Sequence, residues 1–427
     1  MIKSVVIILL FSLLFFSPDM GFSDYREVIS IPGPNRTKIP EYSPILFRAY
    51  PLALDSSTLR LYLLAEIQYD YMQFTRQGDQ FVAEFQLEVH LKQEKSKALF
   101  DQSWTSRVAV KRFEETNKRN RYFLTLDSLK LPAGRYKLRL IYRDLQGSQR
   151  TQMDMVLNLF QPKNFYASPP LFCDPAADAR PIPGPFPGKP LSIREHLPFH
   201  KSLLLFLNTW TPHDEPVHVS LSCWEEDNPT PLYAQDTVIT PQNSRAGFLV
   251  EPPFWAWKEG KYRFKMIYRT AGDSIQQNLP VSLIWFSKPR SLLSPKYARE
   301  VFQALLEPQE EQNASANDED TFIQYWKDQD PTPGTAYNEA MAEFYSRVDS
   351  ADIRWGKGRR NGWQTDVGQI YVLYGKPDRI EDHSLDPENP HMTWYYEFPD
   401  RRLIFTFQSL EGRKRYKLVG EEEELKQ

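Results

Sequence analysis

The stretch 359–378, RRNGWQTDVGQIYVLYGKPD, contains residue types that could do chemistry. Asp366 and Asp378 lie within it, and Glu381 and His383 follow shortly after. Two carboxylates and an imidazole that face one cavity can act as general acid and base or as metal ligands. Their spacing matches no catalytic or metal-binding template, so a hydrolase site around Asp366 and Asp378 is one hypothesis among three.

Four cations precede the tryptophan of this stretch and suggest a second hypothesis. They are Arg354, Lys357, Arg359 and Arg360. Several cations beside flexible glycines could hold an anion, such as a phosphate or an acidic glycan. Charge clusters of this kind more often only solvate a loop.

Turn chemistry explains the same residues without any reaction, and we favour this third hypothesis. Trp363 lies between Gly362 and Gly368 and could fill the space between a helix and a sheet, with its indole N–H seeking one partner. Thr365 and Asp366 carry short polar side chains that bond nearby backbone amides in turns. Gly368 would then free the backbone before a predicted strand at 369–375.

The histidines and cysteines give weaker signals. Four of the seven histidines fall close together: His196, His200, His213 and His218. Because Pro198 disfavours a helix that would align the first two, we predict no metal site there. Cys173 and Cys223 are the two cysteines, and we favour two free, half-buried thiols over a disulfide.

Bulk composition and missing motifs exclude several classes of function. The net charge of −3 gives no global attraction to nucleic acid, so no nucleic-acid partner is predicted. The sequence has no P-loop, no dinucleotide glycine fingerprint and no Gly-x-Ser-x-Gly elbow. We therefore predict no cofactor.

The first 23 residues are typical of a secretory signal peptide. Lys3 precedes an apolar run, Val5 to Phe16, and Pro18 then interrupts it before small residues. The run is too short to span a bilayer comfortably, so an uncleaved N-terminal anchor is the less favoured alternative, and no later segment is long and apolar enough. We predict an exported protein that is periplasmic or secreted, or held peripherally at the envelope, with no transmembrane segment in the mature chain.

An internal repeat organises the middle of the chain. GRYKLRLIYR at 134–143 matches GKYRFKMIYR at 260–269 without a gap, an offset of 126. Each copy alternates aromatic or apolar residues with cations, as a half-buried strand does. The two basic faces are candidate partner surfaces or simply the solvated sides of two sheets: Arg135, Lys137, Arg139 and Arg143, and Lys261, Arg263, Lys265 and Arg269.

Both copies place a glycine two residues before a tyrosine, Tyr136 and Tyr262. This resembles the tyrosine corner of immunoglobulin-like and fibronectin-like β-sandwiches. We predict two tandem sandwiches, at 46–160 and 191–287. The segment between them, 161–190, holds nine prolines and is predicted to be a stiff linker or a strap along a domain surface.

After residue 287 the pattern changes to helices and then strands. A helical connector with an acidic linker is predicted at 292–317, beginning at the capping residue Ser294. The predicted elements that follow are a helical stretch at 321–327, a helix from Thr335 to about Trp355, and strands at 369–375, 392–398, 402–409 and 416–419. Helices followed by an antiparallel meander indicate an α+β domain at 318–420.

This last domain resembles the GWxTD domain family of exported bacterial proteins. The motif residues are Gly362, Trp363, Thr365, Asp366, Gly368, Tyr374, Gly375, Pro377 and Asp378. The resemblance implies a fold and a bacterial envelope or secreted setting, but no reaction. The fold class is therefore mainly β with an α+β C-terminal part, and the leading functional prediction is a non-enzymatic interaction or scaffold protein with an envelope protein partner.

Overall fold

The computed structural model describes residues 44–118, 121–175, 184–191, 196–306, 318–410 and 415–426. The predicted signal peptide and most of the predicted acidic linker lie outside these ranges. The chain divides into two compact units. The first holds the described residues up to Leu197 together with Ser202–Pro252 and Gly260–Ser282, and the second holds Pro198–Lys201, Pro253–Glu259 and Leu283–Gln427.

The first unit begins with a sandwich of two antiparallel sheets. One sheet has the order β1-β2-β6, and the other has the order β3-β4-β7-β8 with β5 paired to β4. Side chains from both sheets fill one continuous core. The strands are β1 Ile45–Ala53, β2 Thr58–Gln68, β3 Thr75–Gln77, β4 Gln80–Gln93, β5 Leu99–Val110, β6 Tyr122–Pro132, β7 Gly134–Asp144 and β8 Arg150–Leu159.

Alternation in the sequence predicts β4 and β7 because each strand has one buried and one polar face. The tyrosine corner is also present in this sandwich, since the Tyr136 hydroxyl donates to the Pro132 carbonyl at 2.8 Å. Strands β1 and β2 show no such alternation. One face of each packs into the sandwich core, while Tyr50 and Tyr62 on the opposite face are buried in a separate cluster.

A second sandwich follows in the same unit, and its strands pair in a similar way. Its sheets have the orders β11-β10-β13-β16, with β9 paired to β13, and β12-β18-β17-β14-β15. The strands are β9 Tyr166–Ala167, β10 Leu171–Asp174, β11 Lys189–Pro190, β12 His196–Pro198, β13 Leu204–Trp210, β14 Val217–Glu225, β15 Tyr233–Ile239, β16 Arg245–Val250, β17 Gly260–Arg269 and β18 Ser274–Ile284.

The proline-rich segment 161–190 is described at residues 161–175 and 184–190. It supplies β9, β10 and β11 to the second sandwich, with the prolines mostly between these short strands. Phe186 packs edge-on against Tyr50, Tyr62 and Phe206, with ring centroids 5.1–6.4 Å away. The described parts of the segment therefore pack against both sandwiches. The bounds 46–160 and 191–287 stay predictions, and this sheet draws on strands before residue 191.

The two cysteines lie on opposite sheets of the second sandwich. Cys173 is on β10 and Cys223 is on β14, and both thiols are free. Both are completely buried rather than half-buried. Burial raises the pKa of each thiol to about 12, so neither thiol is activated as a nucleophile.

The second unit has helices first and then a four-stranded antiparallel meander in the order β19-β20-β21-β22. One face of the sheet packs with the helices around a shared core. The elements are α1 Pro295–Leu305, α2 Asp318–Asp328, α3 Glu339–Trp355, α4 Asp366–Tyr374, β19 Arg379–His383, β20 His391–Glu397, β21 Arg401–Leu410 and β22 Arg415–Leu425. Short 3-10 turns at Arg290–Leu293 and Gly362–Gln364 precede α1 and α4.

The helix caps were predicted in part. Ser294 caps α1 as predicted, since its hydroxyl accepts the Tyr297 amide at 3.3 Å. The predicted cap of the long helix is wrong, because α3 begins after Asn338, whose side chain accepts the Met341 amide at 2.8 Å. The Thr335 hydroxyl instead donates to the Tyr337 carbonyl at 2.8 Å and belongs to the preceding turn.

The predicted strand at 369–375 is also wrong, because these residues belong to helix α4 and its C-terminal end. The run is apolar nearly all round, and most of its side chains are buried. A short buried helix and a short buried strand give the same sequence pattern. Strand β19, which follows α4, was not predicted; its residues are mostly exposed.

Candidate functional site around the GWQTD turn

The GWQTD turn links α3 to α4 by a very close backbone approach. A Cβ at Gly362 would lie 1.9 Å from the carbonyl oxygen of Ala351 in α3, and a Cβ at Gly368 would lie 1.9 Å from the carbonyl oxygen of Gly362. Real Cβ atoms are not found at such distances from another heavy atom. Both positions therefore require glycine for space, whereas the sequence suggested a need for backbone freedom.

Trp363 is the centre of a hydrogen-bonded chain inside this unit. Its side chain is 4% exposed, and its indole N–H donates to the Tyr297 hydroxyl at 3.0 Å. That hydroxyl donates to the Asp352 carboxylate at 2.5 Å. Burial and the neighbouring Asp352 raise the pKa of Tyr297 well above its usual value, so the hydroxyl remains a proton donor.

The Asp352 carboxylate completes this arrangement by binding the turn itself. Its Oδ1 accepts the backbone amides of Gly362 at 2.7 Å and Trp363 at 3.3 Å. Its Oδ2 accepts the hydroxyl of Tyr297. One carboxylate on α3 thus holds α1 and the GWQTD turn together.

Thr365 is the N-cap of α4. Its hydroxyl accepts the Gly368 amide at 3.1 Å and donates to the Gly362 carbonyl at 2.6 Å. The cap satisfies a backbone donor in the first turn of the helix, which otherwise has no partner.

The two motif aspartates bond to the main chain of the sheet. Asp366 accepts the Leu418 amide of β22 at 2.8 Å, next to a register shift in that strand pair. Asp378 accepts the Glu397 amide at 2.8 Å. Each carboxylate therefore binds a backbone amide of a strand.

The remaining motif residues end α4 and pack on the sheet. Tyr374 lies against Tyr396 and Phe405, with ring centroids 5.5 and 5.3 Å away. Gly375 has φ of +84°, a conformation that favours glycine after a helix, and its carbonyl accepts the Tyr396 hydroxyl at 2.9 Å. Pro377 is buried.

The hypothetical acid, base and metal ligands do not assemble into one group. Glu381 forms an ion pair with Arg379 and accepts the Tyr395 hydroxyl at 2.8 Å. His383 stacks on His391. In the ranges that the structure describes, no three His, Cys, Asp or Glu side chains are placed to hold a metal ion, and this covers the four clustered histidines as well.

The four cations before the turn are all exposed, and two of them have local partners. The Arg354 guanidinium lies over the Tyr371 ring at 5.0 Å. Arg360 donates to the Gln364 carbonyl at 2.6 Å. Lys357 and Arg359 extend from the loop between them.

The basic face of the first sandwich is balanced by acidic neighbours. Arg139 pairs with Asp154 at 2.8 Å, and Arg143 pairs with Glu88 at 2.8 Å. Arg135 lies 3.5 Å from a Glu94 oxygen. Opposite charges on adjacent strands leave this face less cationic than its own sequence suggests.

Two cavities in the second unit lie close to these elements. One, of about 450 Å³, has mainly apolar walls from α1, α2, the start of α3 and the loop segments around Phe199, Lys258 and Trp285, and it contains no motif residue. The other, of about 290 Å³, is lined partly by Tyr297, Asp349 and Asp352. Both of its carboxylates already accept backbone amides. Asp349 accepts those of Arg290 and Ser291, and Asp352 accepts that of Gly362.

Tyr297 and Asp352 are the site residues that sequence reasoning missed. They lie far from the motif in sequence, so no local pattern links them to Trp363. One signal was available at Asp352: an acidic side chain in the last turn of a helix is unfavourable for the helix dipole. Such a residue indicates a tertiary partner.

The C-terminal part of the chain matches a known protein family. Residues 301–426 match the family model described as GWxTD domain, which extends the predicted 318–420 to include the last five residues of α1. No curated protein matches. Within the described residues, no helix is long and apolar enough to cross a membrane.

One similar solved structure is the native conformation of E. coli alpha-2-macroglobulin (ECAM). It is 11% identical with a TM-score of 0.18, and the match covers 58% of this chain and 14% of that chain. A likeness of this size supports no inference about the fold or the function.

Proposed function

We propose that this GWxTD domain protein is a non-enzymatic interaction or scaffold protein of the bacterial cell envelope. One observation carries the proposal: the polar side chains of the motif bond to the main chain of neighbouring elements. Asp366 holds β22, and Asp378 holds the end of β20. A general base needs a lone pair that faces the substrate in a cavity, and these carboxylates already bind amides.

The proposed location and partner rest on the sequence. The predicted signal peptide at 1–23 and the setting of the family support export to the periplasm or beyond. An envelope protein is the proposed partner, because nothing in the net charge favours nucleic acid. No cofactor is proposed.

The two sandwiches would serve as spacers or binding modules. Their strand orders correspond, since β1-β2-β6 matches β10-β13-β16 and β5-β4-β7-β8 matches β15-β14-β17-β18. This correspondence supports the internal duplication that the offset of 126 suggests. Within the first unit, Phe186 and the ion pair between Lys189 and buried Glu66, at 3.0 Å, favour one packed module over two flexible spacers.

Anion or acidic-glycan binding is the second candidate function. The exposed side chains of Lys357 and Arg359 on the loop before the turn favour it. A hydrolase is not favoured, because Asp366 and Asp378 bind backbone amides.

The test compares two substitutions at one position in the full-length protein. Asp366→Asn keeps an oxygen that can accept the Leu418 amide, whereas Asp366→Ala leaves that amide unpaired and should cost about 1–3 kcal/mol. Partners are crosslinked in the native envelope, recovered by pull-down and identified by mass spectrometry. We expect the Asn variant to recover the wild-type partners and the Ala variant to recover fewer.

Two outcomes would contradict the scaffold proposal. The first is that no partner is recovered reproducibly with the wild-type protein. The second is an Asp366→Asn variant that unfolds like the wild type and recovers the same partners, but fails to replace the wild-type protein in the cell. This would show that the charge of Asp366 is used chemically. A Lys357→Ala/Arg359→Ala variant tests the second candidate, because it should lose binding to acidic glycans while it keeps its protein partners.

A further inference from the structure

The hairpin of β19 and β20 places two imidazoles face to face. His383 and His391 are direct partners in the strand register. Their ring centroids are 4.9 Å apart, and the planes are inclined by 29°. His383 is exposed and His391 is half-buried, so solvent reaches the pair. Directly opposite positions on paired strands hold their side chains at a short, fixed separation.

The tautomer of the His391 ring is set by a neighbouring backbone carbonyl. The Nδ1 atom of His391 lies 2.7 Å from the carbonyl oxygen of Asn389. A carbonyl oxygen can only accept, so this nitrogen carries the hydrogen and Nε2 keeps a free lone pair in the neutral ring. Histidines that ligate metals commonly use one ring nitrogen in this way while the other binds the metal.

Nearby carboxylates are occupied by other groups. Asp386, in the turn between the strands, accepts the amides of Glu388 at 2.9 Å and Asn389 at 3.4 Å. Glu381 is paired with Arg379 and Tyr395. The described residues hold no set of three ligating side chains, so this site would supply two nitrogen ligands and water would fill the remaining positions.

We propose that His383 and His391 form a two-imidazole site for a first-row divalent transition-metal ion. The rings stack in the metal-free protein, so the exposed His383 ring turns out of the stack on binding, and its lone pair and the Nε2 lone pair of His391 then converge on one ion. Imidazole suits copper, nickel and zinc, whereas magnesium and calcium prefer oxygen ligands. Affinity for a given nitrogen site rises along the series to Cu²⁺ and falls at Zn²⁺, so Cu²⁺ binds most tightly. Paired strands fix the two ligands more precisely than a loop would. The proposal does not depend on the scaffold function.

The test titrates the full-length protein with CuCl₂, and separately with ZnCl₂, by calorimetry in a weakly coordinating buffer. We expect one equivalent of Cu²⁺ to bind at this site, and His383→Asn or His391→Asn to weaken that step at least tenfold. His218→Asn is the matched control, because this exposed strand histidine faces Arg269 and Val238 across its neighbours rather than another imidazole. It should leave the step unchanged, and MgCl₂ should give no heat.

Electron paramagnetic resonance gives a second readout on the Cu²⁺-loaded protein. Coupling to two imidazole nitrogens in the wild type should fall to one in each single variant. Equal thermal unfolding of the metal-free proteins checks that the fold is intact. If the His383→Asn/His391→Asn double variant binds Cu²⁺ with unchanged affinity and spectrum, the wild type holds an adventitious ion only and the proposal fails.

Discussion

The GWQTD turn and the outer face of the β19–β20 hairpin both gather polar side chains within one domain, but they use them differently. At the turn, Asp352, Thr365 and Asp366 bond to backbone amides of other segments. On the hairpin, Arg379 pairs with Glu381, and His383 stacks on His391, on a face that solvent reaches.

The difference separates residues that build the fold from residues that are available to a ligand. A buried side chain that binds the main chain costs free energy when it is removed, because its partner is left unsatisfied. An exposed cross-strand pair costs little to remove, and its lone pairs stay accessible. Residue types that look catalytic in sequence can therefore belong to either group.

Gly362→Ala should have the largest effect of the substitutions that test this comparison. The new Cβ would meet the Ala351 carbonyl at 1.9 Å, and the main chain cannot yield without moving α3. We expect a loss of about 3 kcal/mol or more in the free energy of unfolding. Hydrogen exchange of the amides at 339–374 measures it within this unit.

Gly334→Ala is the control for that substitution, because nothing lies within 4 Å of its Cβ position. It should change the free energy of unfolding by no more than about 0.5 kcal/mol. Equal effects of the two substitutions would contradict a role for close approach at Gly362.

Tyr297→Phe should have an intermediate effect. It removes the hydroxyl between the Trp363 indole and Asp352 and leaves both without that partner. We expect a loss of about 1–2 kcal/mol, measured by chemical denaturation at neutral pH.

The same variant carries a pH signature with a definite sign. The pKa of Tyr297 is raised in the folded protein above the usual value of 10.0. Its contribution is therefore complete below pH 10 and is lost as the pH rises above that value, since the unfolded chain releases the proton first. Tyr297→Phe should lose stability less steeply above pH 10, and identical slopes would show that this hydroxyl does not titrate with unfolding.

Arg379→Ala should have the smallest effect. Its guanidinium lies 3.7 Å from the centre of the Tyr395 ring and pairs with Glu381, but the site is exposed. An exposed cation–π contact and an exposed ion pair each contribute roughly 1 kcal/mol or less. Thermal unfolding in low and high salt checks this prediction. A loss above about 2 kcal/mol would show that the side chains of the hairpin face stabilise the fold as those of the GWQTD turn do.

Strong periodicity allowed much of the fold to be predicted. The alternation in β4 and β7 and the apolar stripe of Phe344, Val348 and Ala351 along α3 each indicate a single buried face, which local sequence can show. The Ser-Pro start of α1 is a local capping signal. The prediction of helices followed by an antiparallel meander is confirmed, and its two central strands, β20 and β21, each have a clear apolar face.

Burial on two sides caused the principal errors. Helix α4 is surrounded by other elements, so its apolar run lacks the periodicity that separates a helix from a strand. Strands β1 and β2 are likewise covered on both faces, so they also lack a clear alternation of apolar and polar residues. In the proline-rich segment, strands as short as two residues carry no recognisable pattern, and only pairing with β13 reveals β9.

The sequence by itself determined the family motif, the match between 134–143 and 260–269 and the residue types at the turn, because these depend on identity and local spacing. Tertiary structure alone decided what the residues do. It brought Tyr297 and Asp352 to Trp363, bound Asp366 to β22, and placed His383 against His391 rather than beside the motif aspartates. Hydrogen bonds and metal ligation depend on distances in space, and residues far apart in the chain acquire those distances only when the domain is packed.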